Sequence, residues 1–148
     1  MTEKQILVIE PNGDERRLGQ GDLGADGLPS LKTMQEIVGG GIEFVRVLRA
    51  DIATANIYTY MVANETGLLD GLPENHNATE IYLANVRRAY PDSDAPWDDA
   101  RRLDRARYQG VTYIDITPEL YRDKKPVIVG TVIWFDGYTV EELLEMGL

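Results

Sequence analysis

Met61 to Thr79 reads MVANETGLLDGLPENHNAT, and it decides the fold because it runs from an apolar strand to a capped helix through closely spaced turn residues. Ile57 to Ala63 carries Ile57, Tyr58, Tyr60, Met61 and Val62, the composition of a strand. Asn64-Glu65-Thr66-Gly67 then supplies a turn, Leu68 and Leu69 resume apolar character, and Asp70-Gly71 turns the chain again. Pro73 has no amide hydrogen for a ladder, so a strand returning through Leu68 and Leu69 must be short or lie on an edge. Asn77 and Glu80 stand in the spacing of a capping box, which predicts a helix from Ala78 to about Ala89. That helix places Ala78, Ile81, Tyr82, Val86 and Ala89 on one face. Asn85 falls among them, and a polar amide there calls for a backbone partner.

Upstream, Gln5 to Glu10 (QILVIE) is a short apolar run that reads as the first strand, closed by Pro11-Asn12-Gly13. Residues 14–29 are rich in glycine and charge without a period, the character of a long exposed loop. Gly19 to Gly24 spells the letters GxGxxG, but the residues after it do not open the helix that would receive a pyrophosphate. Ser30 is placed to cap a helix through Val38, with Leu31, Met34, Ile37 and Val38 on one side. Gly39-Gly40-Gly41 follows that helix rather than preceding one, so it reads as a left-handed cap and not as a phosphate cradle. Ile42 to Leu48 (IEFVRVL) is the next half-buried strand.

Downstream, residues 92–107 begin with carboxylates and end with arginines, matching the dipole of a helix from about Ala95. Arg101, Arg102, Arg105 and Arg107, with Arg87 and Arg88, form the one basic cluster, a candidate anion site near Tyr90, Trp97 and Tyr108. Val111 to Ile116 alternates as a strand, and Pro118 to Tyr121 suits one helical turn. Val127 to Phe135 (VIVGTVIWF) is the most apolar run and the natural central strand, where Gly130 signals a bulge or a close crossing. Thr139 and Glu142 form a capping box for a final helix through Met146.

The whole predicts a single compact α+β domain over residues 1–148. Its sheet is mixed or antiparallel with about five strands, beside three to four short helices. A net charge of −10, spread along the chain, makes membrane and nucleic acid unexpected partners. The absence of cysteine excludes disulfides, thiol nucleophiles and cysteine metal sites. The first residues carry too short an apolar run for a signal peptide, so the expected compartment is the cytosol.

Three segments in this order, MQEIVGGGIEFV (Met34 to Val45), MVANETGLLDGLPENHNAT and PVIVGTVIWF (Pro126 to Phe135), resemble the DUF3846-like domains of unknown function found in phages and actinobacterial mobile elements. The resemblance implies a mobile-element setting in a bacterial host and carries no reaction with it. The charged helical segment 90–110 has no counterpart in it and reads as an insertion.

No catalytic constellation is evident. His76, the sole histidine, has Glu74 and Asp70 near in sequence, but one imidazole without ordered spacing makes neither a triad nor a metal site. No cofactor or metal is expected. The leading expectation is a binding module for a small polar ligand or nucleotide, with Tyr60, Asn64, Glu65, Asn75, Asn77 and Thr79 as donors and acceptors around it. The same residues also suit turns and caps. The alternative is an acidic interaction protein, itself a candidate homo-oligomer, that inhibits a host protein or mimics one of its ligands; a hydrolase or metal-dependent enzyme ranks third.

Overall fold

The computed structural model describes residues 4–48, 58–94, 96, 121–122 and 125–148. In chain order the elements are β1 (Gln5–Ile9), β2 (Glu15–Arg17), a 3-10 turn (Gln20–Asp22), α1 (Leu31–Val38), β3 (Ile42–Leu48), β4 (Tyr58–Asn64), α2 (His76–Ala89), β5 (Tyr121–Arg122), β6 (Lys125–Pro126), β7 (Val132–Asp136) and α3 (Val140–Glu145). Five strands form one sheet in the order β2-β1-β7-β4-β3, with every pairing antiparallel; β5 and β6 make a separate two-stranded ribbon. Residues 49–57, 95 and 97–120, including the expected arginine helix and the strand Val111 to Ile116, lie outside the described residues.

Strand alternation divides the interior in two. Ile9, Val45, Val47, Met61, Val132 and Trp134 face Ala78, Tyr82 and Val86 of α2. Their neighbours Ile6, Val8, Val62, Ile133 and Phe135 face Met34 and Val38 of α1 and Leu143 of α3. A period of two along each strand therefore gives a sheet buried on both sides, with one helix layer on each. The apolar run of β7 is explained by its place at the centre, between β1 and β4. Its ladder with β4 is short, Met61 opposite Trp134 and Val62 opposite Ile133, and the buried Thr59 hydroxyl extends it by donating to the Phe135 carbonyl at 3.0 Å.

Four expectations need correction. First, α2 starts at His76, and its cap is Asn75, not Asn77: Asn75 is extended (φ −99°) and its side chain accepts from the Ala78 amide at 3.0 Å. Second, no strand returns through Leu68 and Leu69; residues 65–71 wind through consecutive turns, and the nearest pairing is a bridge between Glu74 and Val129. Third, residues 14–29, although largely exposed, hold β2 and the 3-10 turn and send Leu18 and Leu28 into the core. Two apolar anchors suffice to order a stretch that has no period. Fourth, the central strand starts at Val132 and not at Val127, because residues 128–130 bond to the chain at Pro73, Asn75 and Thr79 instead.

The caps of α1 and α3 stand where the sequence places them. The Thr33 amide donates to Ser30 Oγ at 3.1 Å, and Gly39 closes α1 in the left-handed region at φ +81°. Thr139 and Glu142 bond reciprocally at the start of α3.

Candidate functional site

Antiparallel order brings the ends of β1 and β4 together with the beginnings of β3 and β7 at one end of the sheet. Four loops converge there, and three asparagines and threonines lace them together. Asn75 is fully buried; its Nδ2 donates to the carbonyls of Ile9 (2.9 Å) and Gly130 (2.8 Å) while its Oδ1 caps α2. One amide thus joins the end of β1, the approach to β7 and the first turn of α2. Thr79 extends the seam by accepting from the Ile128 amide at 2.9 Å. Asn64 donates to the Val38 carbonyl at 3.2 Å and accepts from the Thr66 amide at 2.9 Å, tying the end of α1 to the end of β4.

The triple glycine fits beneath these groups. A Cβ on Gly40 would stand 3.0 Å from Asn64 Nδ2, and one on Gly41 would collide with the Glu65 carboxylate. The Glu65 amide also donates to the Gly41 carbonyl at 3.0 Å. The glycines therefore serve helix termination and close approach, which is how their position after a helix reads.

Between these seams lies an open cleft of about 560 Å³. Pro11, Val38, Leu72 and Pro73 give it apolar walls, the Gly130 backbone lines it, and Glu10, Asn12 and Thr131 supply polar side chains. The Asn12 side chain is already engaged with Asp14, accepting from its amide at 2.9 Å, so the turn is held in shape without a ligand. A few polar groups around an apolar wall is the make-up of a small-molecule site.

The six residues expected to contact a ligand are not brought to one surface. Asn64, Asn75 and Thr79 are buried and engaged with backbone, and Glu65 is exposed over Gly41. Asn77 is half-buried and faces the Gly13 turn, where its Nδ2 would stand 3.9 Å from a Cβ. Tyr60 lies further down β4 with its ring centroid 4.9 Å from that of Phe44. Asn64, Asn75 and Thr79 brace the backbone at the cleft's end of the sheet. Of the expected anion site, Arg87 and Arg88 are exposed on the last turn of α2, with Arg87 3.7 Å from Glu80, while Arg101, Arg102, Arg105 and Arg107 lie outside the described residues. Asn85 donates to the Ile81 carbonyl at 2.8 Å, satisfying its own helix. Gly19 to Gly24 holds only the 3-10 turn, with the Gly19 amide on Asp22 at 3.2 Å. Among the described residues no group of three His, Asp or Glu side chains could hold a metal ion, and His76 is exposed.

Glu43 stands beside the glycine segment at the start of β3. Burial raises its carboxyl above the ordinary value of 4.5, and the Glu65 carboxylate raises it further. A folded-state pKa above the unfolded one means the native chain holds the proton more tightly. Its contribution to stability therefore falls as pH rises from about 4.5 to the folded value, and above that the deficit is constant. Glu43→Gln should raise the denaturation midpoint at neutral pH, with the gain shrinking as pH falls toward the ordinary glutamate range. An equal gain at both pH values would show that the carboxylate charge is not the cause.

No family model, curated protein or solved structure matches this chain. Its fold and site consequently rest on its own residues, and no helix among those described is long and apolar enough to cross a membrane.

Proposed function

We propose that this protein is a non-enzymatic binding module that takes a small polar ligand, a nucleoside or nucleotide among the candidates, into the cleft at the end of the sheet. The observation that carries this reading is the cleft itself, about 560 Å³, with apolar walls and, among the described residues, Glu10, Asn12 and Thr131 as its polar members. That volume suits a ligand the size of a nucleoside. The Glu10 carboxylate on the rim disfavours a phosphate beside it and favours an uncharged or amine-bearing molecule. The resemblance to DUF3846-like domains supports an accessory role in a phage or mobile element, acting in the cytosol of a bacterial host.

The test is a thermal-shift panel of nucleosides, nucleotides, amino acids and polyamines. A ligand present at about 100 times its dissociation constant stabilises the native state by about 2.7 kcal/mol, enough to read as a shift of several degrees. Thr131→Phe, which fills the cleft from its rim, should abolish the shift with the fold intact. Glu10→Gln should weaken an amine ligand and strengthen a phosphorylated one. Silence across the panel, or a shift that survives Thr131→Phe, overturns the assignment. Asn64 and Asn75 are unsuitable probes, since their side chains hold the loops in place.

A further inference from the structure

We propose that the loop 65–72 is a docking prong that inserts Leu69 into an apolar pocket on a basic partner protein. This stands independently of the cleft and its ligand. Leu69 is 90% exposed and Leu68 48% exposed, two adjacent leucines held outside the core. Among the described residues the other exposed large apolar side chains, Leu31 and Leu144, stand singly on helices, which is ordinary for a protein surface.

The loop's backbone is built to hold that shape. The Gly67 amide donates to Asn64, Asp70 to Thr66, Gly71 to Leu68 and Leu72 to Gly67, at distances from 2.8 to 3.1 Å. The Thr66 hydroxyl adds a bond to Asp70 Oδ2 at 2.7 Å. Below, Gly67 is packed so closely that a Cβ there would stand 3.1 Å from Val129 Cγ2 and 3.3 Å from Leu72 Cδ1. Both ends are therefore anchored, by Asn64 and by Leu72, and the tip carrying Leu69 is presented rather than loose. A pre-shaped loop loses little conformational freedom on binding, which is what makes an exposed apolar tip effective as an anchor.

Charge selects the partner. Among the described residues, the segments 10–15, 39–43 and 61–74 at this end of the sheet contain Glu10, Asp14, Glu65, Asp70 and Glu74 among their acids and no lysine or arginine. Such a rim repels a second copy of this chain, a nucleic acid and an anionic lipid surface alike, and attracts a basic protein face.

The experiment replaces Leu69 in the full chain with a photo-crosslinking benzoylphenylalanine and irradiates it in a bacterial lysate. Each adduct is identified by mass spectrometry, and its partner is purified and titrated against wild type, Leu69→Asp and Glu65→Lys, all checked for folding by circular dichroism. The expected result is a partner of basic isoelectric point whose affinity falls about tenfold or more with Leu69→Asp. With Glu65→Lys it should fall several-fold, and with salt raised to about 0.5 M it should fall steeply. No adduct, an acidic partner, or binding indifferent to Leu69→Asp or to salt overturns the proposal.

Discussion

Asn75→Ala should destabilise the protein by about 3–5 kcal/mol, the sum of two buried hydrogen bonds to backbone carbonyls and a helix cap. The side chain has no exposed surface, and its three bonds reach Ile9, Gly130 and the Ala78 amide. Alanine cannot replace any of them, and the space it vacates is too enclosed for solvent to do so freely. Against a total stability of about 5–15 kcal/mol for a domain of this kind, the loss is a large fraction of the whole. In urea the midpoint should move down by roughly 2 M, taking a slope of about 2 kcal/mol per molar. Asn75→Asp separates the cap from the seam. It keeps an acceptor for Ala78 but turns a carboxylate toward two carbonyl oxygens in a buried position, so its folded-state pKa must rise. The deficit of Asn75→Asp should then be greatest at neutral pH and shrink on acidification, because the protonated acid can donate to one of the two carbonyls. Equal midpoints for wild type and Asn75→Ala, or a pH-independent deficit for the aspartate, would remove Asn75 from the centre of this arrangement.

Asn75 also marks the boundary of what the sequence discloses. Elements with strong local chemistry are legible: Ser30 and Gly39 bracket α1, Thr139 and Glu142 open α3, and the alternation of residues 42–48 makes β3. Within PENHNAT, however, Asn75 and Asn77 are both good local caps, and the pairing of Asn77 with Glu80 even favours the wrong one. The decision comes from carbonyls 66 and 55 residues away, whose positions exist only once the sheet has formed. The loop after β4 is misread for the same reason. Leu68 and Leu69 have strand composition, but the hydrogen bonds of residues 66–72 close within the loop and leave no edge to pair. The stretch expected to hold the site lies at the end of β4 and contributes Leu72 and Pro73 to the cleft. Its asparagines build the support, whereas the cleft is lined from segments near residues 11, 38, 72 and 130, which share no motif.

The crossing at Gly130 is the second place where one atom should have a large effect. Gly130 sits at φ +77°, its amide donates to the Pro73 carbonyl at 2.8 Å, and its own carbonyl receives Asn75. A side chain there meets two separate penalties. The left-handed backbone costs an L-residue about 1–2 kcal/mol whatever the space around it. In addition, a Cβ would stand 2.9 Å from Leu72 Cδ1, closer than packed carbons tolerate. That methyl is the tip of a half-buried side chain bordering the cleft, so Leu72 can yield and relieve part of the contact. Gly130→Ala should therefore cost about 2–4 kcal/mol in total. A double-mutant cycle with Leu72→Ala divides the sum, since truncating Leu72 removes the steric part and leaves the backbone part. Gly130→Ala made in the Leu72→Ala background should cost about 1–2 kcal/mol, the residue of strain alone. If the two changes are additive, the close approach contributes nothing and the glycine is required by its dihedral angle only. A Gly130→Ala variant as stable as wild type would contradict both parts, and with them the path by which the chain from β6 crosses Pro73 and Asn75 to enter the centre of the sheet.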